Sequence, residues 1–167
     1  MKTNLGIFVA VSLSCLMAGC GNSEQASSMT GMSREANYQR LAIVCAPAPE
    51  ADPQYASIIL GEAQRNVQTR LGFLKKVDCV FDAPVDTTST PPTVKLSNSN
   101  DYDAIVCLVY SYGGGSVRLD FHMLDTNTNQ EVWTHQFNKK EPDIRRGLIA
   151  HGWWTPSAIK NVFYNRR

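Results

Sequence analysis

The 167-residue chain has five cysteines but no C-x-x-C pair among them, and its formal net charge is only +1 at pH 7. Each shortage removes a class of function. Without closely spaced cysteines a zinc site has no support. A balanced charge argues against a general nucleic-acid binder. The apolar stretch from Leu5 to Met17 falls short of the roughly 20 residues that a bilayer-crossing helix needs. No internal repeat is visible, which sets repeat architectures aside.

What is present starts with that apolar stretch. Lys2 precedes it, and the small residues Ala18 and Gly19 follow it, directly ahead of Cys20. A basic start, a short apolar region and small residues at a cut site predict a cleaved export signal over residues 1–19. The competing reading is a short membrane anchor. Leu16-Met17-Ala18-Gly19-Cys20 resembles the lipobox of bacterial lipoproteins. That resemblance implies a diacylglycerol thioether on Cys20, cleavage before it and acylation of the new amine. Each buried methylene adds about 0.8 kcal/mol, so several chains hold far more firmly than one. Gly21 stands where lipoproteins retained at the inner membrane often carry Asp. The resemblance therefore implies the outer membrane, periplasmic face. Residues 20–37 are small and polar, a composition that predicts a lipidated N-terminus followed by a flexible tether.

Residues 38–167 are enough for one globular periplasmic domain. Its charge is uneven. Lys139, Lys140, Arg145, Arg146, Lys160, Arg166 and Arg167 crowd the C-terminal end against Glu141 and Asp143. A basic end suits lipid headgroups or an acidic partner, or is simply a solvated helix face. Cys45, Cys79 and Cys107 remain after processing, each inside an apolar run. They read as buried small hydrophobes, with one disulfide as the next choice.

The expected class is α/β, a single domain on a mixed sheet of about five strands. Arg40–Ala46 is apolar at consecutive positions, as a strand buried on both faces would be. Asp52-Pro53 reads as a helix start. Ala56, Ile59, Leu60, Ala63, Val67 and Leu71 then recur on one helical face, and Gly72 is placed to end the helix. Lys76–Phe81 is the next strand, so strand, helix and strand imply a parallel crossover. Residues 82–100, rich in Pro, Thr, Ser and Asn, read as a long surface loop. Ala104–Tyr112 is another buried strand. Ser116–Asp125 alternates apolar and polar residues, and Glu131–Phe137 is expected to pair back on it as an antiparallel hairpin. A helical tail is predicted after Pro142, restarting at Thr155-Pro156.

Gly113-Gly114-Gly115 lacks the Lys and Ser/Thr that would open a helix in a phosphate-binding loop, so a hairpin turn is the reading. A turn centred on Asn127-Thr128 would set Asp120 opposite His135. Such a pair could orient a general base, but no nucleophile accompanies it, and a cross-strand polar pair explains it without catalysis. No catalytic residue, metal site or cofactor is assigned, and no enzyme is expected. With Thr155 as a cap, Trp154 and Ile159 would form a hydrophobic staple. Trp153 is then left over beside basic residues. Trp153, Arg145, Arg146 and Lys160 are the candidate contact residues, for a membrane surface or a neighbouring subunit, with core packing as the alternative for Trp153.

The stretch Asp101–Trp133, with "YDAIV" entering a strand, "LDTNT" ending the next and "EVW" opening another, resembles a group of small periplasmic lipoproteins. The group includes the curli-secretion lipoprotein, the Pel polysaccharide-export lipoprotein and an outer-membrane activator of penicillin-binding proteins. Of its Leu-x-Asp-x-x-Thr-Gly pattern, Asp125 and Thr128 keep the spacing here, with Leu124 directly before the aspartate, Asn129 in the glycine place and Trp133 beyond. Asn tolerates the left-handed geometry that such a glycine supplies. The resemblance implies a non-enzymatic, oligomeric accessory subunit of an envelope export or secretion machine, partnered by outer-membrane lipid and by copies of itself or another envelope protein. The alternative it leaves is a monomeric tethered adaptor that activates a periplasmic cell-wall or envelope enzyme.

Overall fold

The computed structural model describes the backbone of residues 24–28 and the whole of residues 37–164. Cys20, Arg166 and Arg167 lie outside the described residues. The strands are β1 (Glu24–Ser28), β2 (Arg40–Pro47), β3 (Lys76–Cys79), β4 (Val85–Asp86), β5 (Thr93–Val94), β6 (Ala104–Gly113), β7 (Ser116–Asp125) and β8 (Glu131–Lys140). Six of them form one sheet in the order β1-β8-β7-β6-β2-β3. β2 runs parallel to both β3 and β6, and β6, β7, β8 and β1 are successively antiparallel. The sheet is mixed, as the sequence predicts. It has one more strand than the five expected, because β1 falls inside the segment read as a tether. Backbone pairing needs no apolar side chain, so a polar segment gives no periodic sign of it.

Two helices, α1 (Ala56–Leu71) and α2 (Ile144–Tyr164), cover one sheet face. Asp52 caps a short 3-10 turn at Pro53–Tyr55 that leads into α1, its side chain accepting from the Gln54 amide at 3.0 Å. Ile59, Leu60, Ala63, Val67 and Leu71 are the buried stripe of α1. They pack on Leu41, Ile43, Val106 and Leu108, and α2 contributes Leu148, Ile159 and Val162 to the same core. Gly72 does follow the helix, but with φ −62 and not in a left-handed cap.

The other face of β2 and β6 is also buried. Ala42, Val44, Ile105 and Cys107 meet Val80, Ala83, Val85, Val94 and Leu96 from the segment after β3. That segment, expected as a plain surface loop, folds into a small hairpin of β4 with β5. Its few apolar residues are spaced too irregularly to register as a strand pattern, yet they seal the sheet. Continuous apolar runs in β2 and β6 are thereby explained.

Both turns of the β6–β7–β8 meander use left-handed backbone. Gly114 and Gly115 have φ of 56 and 74 between the closing pair Gly113 and Ser116, a two-residue hairpin turn that glycine makes without steric cost. Asn129 has φ 54, in keeping with its place in the glycine position of the pattern. Asp125 holds that loop by accepting from the Asn127 and Thr128 amides at 2.8 and 2.9 Å. Cys45 and Cys107 are buried, Cys79 is half-buried, and all three are free thiols.

Candidate contact surface on the C-terminal helix

The tail is one continuous helix, and no second start occurs at Thr155. Asp143 marks the true start, accepting from the Arg146 amide at 3.2 Å. Pro156 sits inside α2. A proline there lacks the N–H for the carbonyl four residues back and crowds it. Thr155 is not a cap. Its hydroxyl donates backward to the His151 carbonyl at 2.8 Å, inside the buried turn. Tertiary packing outweighs the local break: Gly147, Leu148, His151, Gly152, Thr155, Pro156, Ile159 and Val162 are all buried along one side. Helix propensity is a weak term beside a packed face of that length.

Without the cap there is no staple. Trp154 turns inward against Phe137, ring centroids 5.0 Å apart, and against His151 at 5.8 Å. Lys139 Nζ lies 5.0 Å from the Trp154 ring centre. His151 is almost fully buried, and its Nε2 has no hydrogen-bond partner among the described residues. Burial pulls its pKa down to about 4, so the imidazole is neutral near pH 7.

The opposite side of α2 faces out. Trp153 is 49% exposed and Tyr164 50%. Arg145 and Arg146 are exposed in the first turn, and Lys160 is half-buried with Nζ 5.0 Å from the Tyr164 ring centre. At about 100° per residue, Arg146, Trp153, Lys160 and Tyr164 fall within a narrow arc. They make a stripe about 27 Å long in which cations and aromatics alternate. Arg145 lies off the stripe, on the flank of the first turn. Phe73, at the end of α1, packs edge-on to Tyr164 at 5.7 Å and to Phe163 at 5.8 Å, and it is itself 45% exposed. The structure thus brings Arg146, Trp153 and Lys160 onto one line. Tyr164 and Phe73 are additions that sequence reading missed. The spacing 146, 153, 160 was the available signal, and reading Thr155-Pro156 as a helix start cut it in two.

No protein-family model matches this chain, and no curated protein matches it. Among solved structures, the chain is similar to the PelC dodecamer from Paraburkholderia phytofirmans at 14% identity and TM-score 0.44, covering 81% of this chain and 96% of that one. A leucine-to-methionine variant of that dodecamer is similar at 12% identity and TM-score 0.44, over 81% and 95%.

The polar face of β7 and β8 does not build the pair that a symmetric turn would give. A register shift at Met123/Leu124 sets Asp120 opposite Gln136, and Phe121 opposite His135. One residue of slip is enough, because neighbouring side chains point to opposite faces. Asp120 is bound instead by Arg118, at 2.8 Å. His122 Nδ1 lies 2.6 Å from Glu131. His135 stacks on Trp133 with ring centroids 5.8 Å apart, and burial lowers its pKa. Among the described residues, no three His, Cys, Asp or Glu side chains gather as a metal site.

Proposed function

We propose that this chain is a non-enzymatic outer-membrane lipoprotein, anchored through Cys20, that works as an oligomeric accessory subunit of an envelope export or secretion machine. The observation that carries the reading is the outward stripe of α2. A half-exposed tryptophan, with cations two helical turns away on either side and exposed Tyr164 and Phe73 at the far end of the stripe, fits a subunit contact or a lipid interface. The lipobox-like Leu16–Cys20 supplies the compartment. The adaptor reading loses ground on reach. With β1 docked on β8, only residues 21–23 separate Cys20 from the sheet. Four Cα steps cover at most about 14 Å.

The test is the native mass of residues 21–167 by light scattering, with and without detergent, beside Trp153→Ala. A discrete closed oligomer supports the export-subunit reading, and its loss in the variant puts Trp153 between copies. A monomer at high concentration in both conditions overturns the oligomer and leaves the tethered adaptor.

A further inference from the structure

The register of β1 fixes which end of the domain lies nearest the anchor. Glu24 pairs with Asn138 and Ser28 with Thr134, so β1 runs away from the end where β8 closes. The chain from Cys20 therefore enters the sheet beside Lys139 and Lys140. The far end, with Arg40 opposite Lys76 and Ala104 opposite Asp125, is about 30 Å away along ten-residue strands.

Charge marks the same end independently. Lys140, Arg145 and Arg146 are exposed, and none has an ion-pair partner among the described residues. The other cations there are committed, Arg118 to Asp120 at 2.8 Å and Lys139 to Glu141 at 3.0 Å. Asp143 caps α2 there, and Glu24 joins the same end through its backbone pairing with Asn138. Glu50 and Asp52 lie after β2, across the sheet at the same end, so the free cations are confined to the β8–α2 corner.

We propose that this corner rests on an anionic phospholipid surface through Lys140, Arg145 and Arg146. The inference rests on the anchoring of Cys20 proposed above. Screening confines such attraction to about 8 Å at physiological ionic strength, so scattered cations would not hold a free domain on a membrane. A leash of at most about 14 Å keeps the corner within two screening lengths of the surface, so the attraction acts on it continuously. The guanidinium groups can then take phosphate oxygens in pairs, while the lysine acts as a point charge.

The experiment uses the full chain purified from membranes, with its intact mass measured first. It is inserted into preformed vesicles, one set containing phosphatidylglycerol and one of neutral lipid alone. Lysines are acylated with a water-soluble reagent and read by mass spectrometry. Labelling of Lys140 is expected to fall about threefold or more in the anionic vesicles relative to neutral ones, with Lys75 at the far end unchanged. The double variant Arg145→Glu/Arg146→Glu should regain Lys140 labelling while still floating with the vesicles. Equal labelling of Lys140 in anionic and neutral vesicles overturns the proposal, whether the residue is open in both or covered by protein in both. A mass without acyl chains overturns the anchor itself, and is read separately from the labelling pattern.

Discussion

Gly152 of α2 lies directly against the backbone of Ile59 in α1. A Cβ at Gly152 would collide with the Ile59 carbonyl oxygen and stand 2.8 Å from Glu62 Cβ. The two helices meet at that contact, and backbone cannot move aside as a flexible side chain can. Gly152→Ala is expected to destabilise the domain by about 1–3 kcal/mol despite alanine's better helix propensity. Gly61, inside α1, has open space around it, with no atom beyond its own turn of helix within 4 Å of the point where a methyl group would stand. Gly61→Ala should stabilise by about 0.5–1 kcal/mol. Urea midpoints of the two variants beside the parent check both signs.

His151 should make stability depend on pH. Its folded pKa of about 4 lies below the ordinary histidine value of 6.5, so the unfolded chain binds more protons between those values. Stability from this group is full above pH 6.5 and is lost as pH falls toward 4. The loss is on the order of 3 kcal/mol. Glu141 and Lys139 act on the same ring with opposite signs. Urea titrations at pH 7 and pH 4.5 should show the drop, and His151→Leu should flatten most of it. An unchanged slope in the variant would place the effect elsewhere, His135 being the next group.

The three thiols should be silent in the folded protein. Burial pushes Cys79 and Cys107 up to about 12 and holds Cys45 well above the ordinary thiol value. Thiolate is the reactive form, so alkylation at pH 8 should be slow in native protein and complete for all three in denaturant. Mass spectrometry of the alkylated chain reads the result. Cys79, the least buried, is the one expected to react first.

Pairing of β1 has a direct readout in hydrogen exchange. It covers Thr134–Asn138 of β8, which would otherwise be a sheet edge. In a chain starting at residue 38, the β8 amides that face β1 should exchange about tenfold faster or more, while those that face β7 keep their protection. Equal protection in both chains would show that β1 does not hold the edge.

Much of the architecture was readable from patterning. The consecutive apolar runs of β2 and β6, the alternation through Ser116–Asp125, and the stripe Ile59-Leu60-Ala63-Val67-Leu71 each record a local period, and the structure forms those elements. The hairpin made by Val85–Asp86 and Thr93–Val94 was not readable, because two-residue strands carry no period. Strand β1 was not readable either, since its polar residues are held by backbone pairing. The candidate surface was half legible. Trp153, Arg146 and Lys160 could be named from composition, but their alignment depends on α2 passing unbroken through Pro156.

The chain alone therefore determined the α/β class and the residues that alternate between core and solvent. These follow from local composition and from the two periods of the backbone. Tertiary structure decided three further matters. It carried α2 past Thr155-Pro156, because burial against α1 and the sheet outweighs one lost helical bond. It slipped β8 by one residue at Met123/Leu124, which parted Asp120 from His135. It seated Glu24 beside Asn138, and so set the end of β8 at which β1 begins. Each depends on contacts between residues far apart in the chain, and no local pattern encodes those.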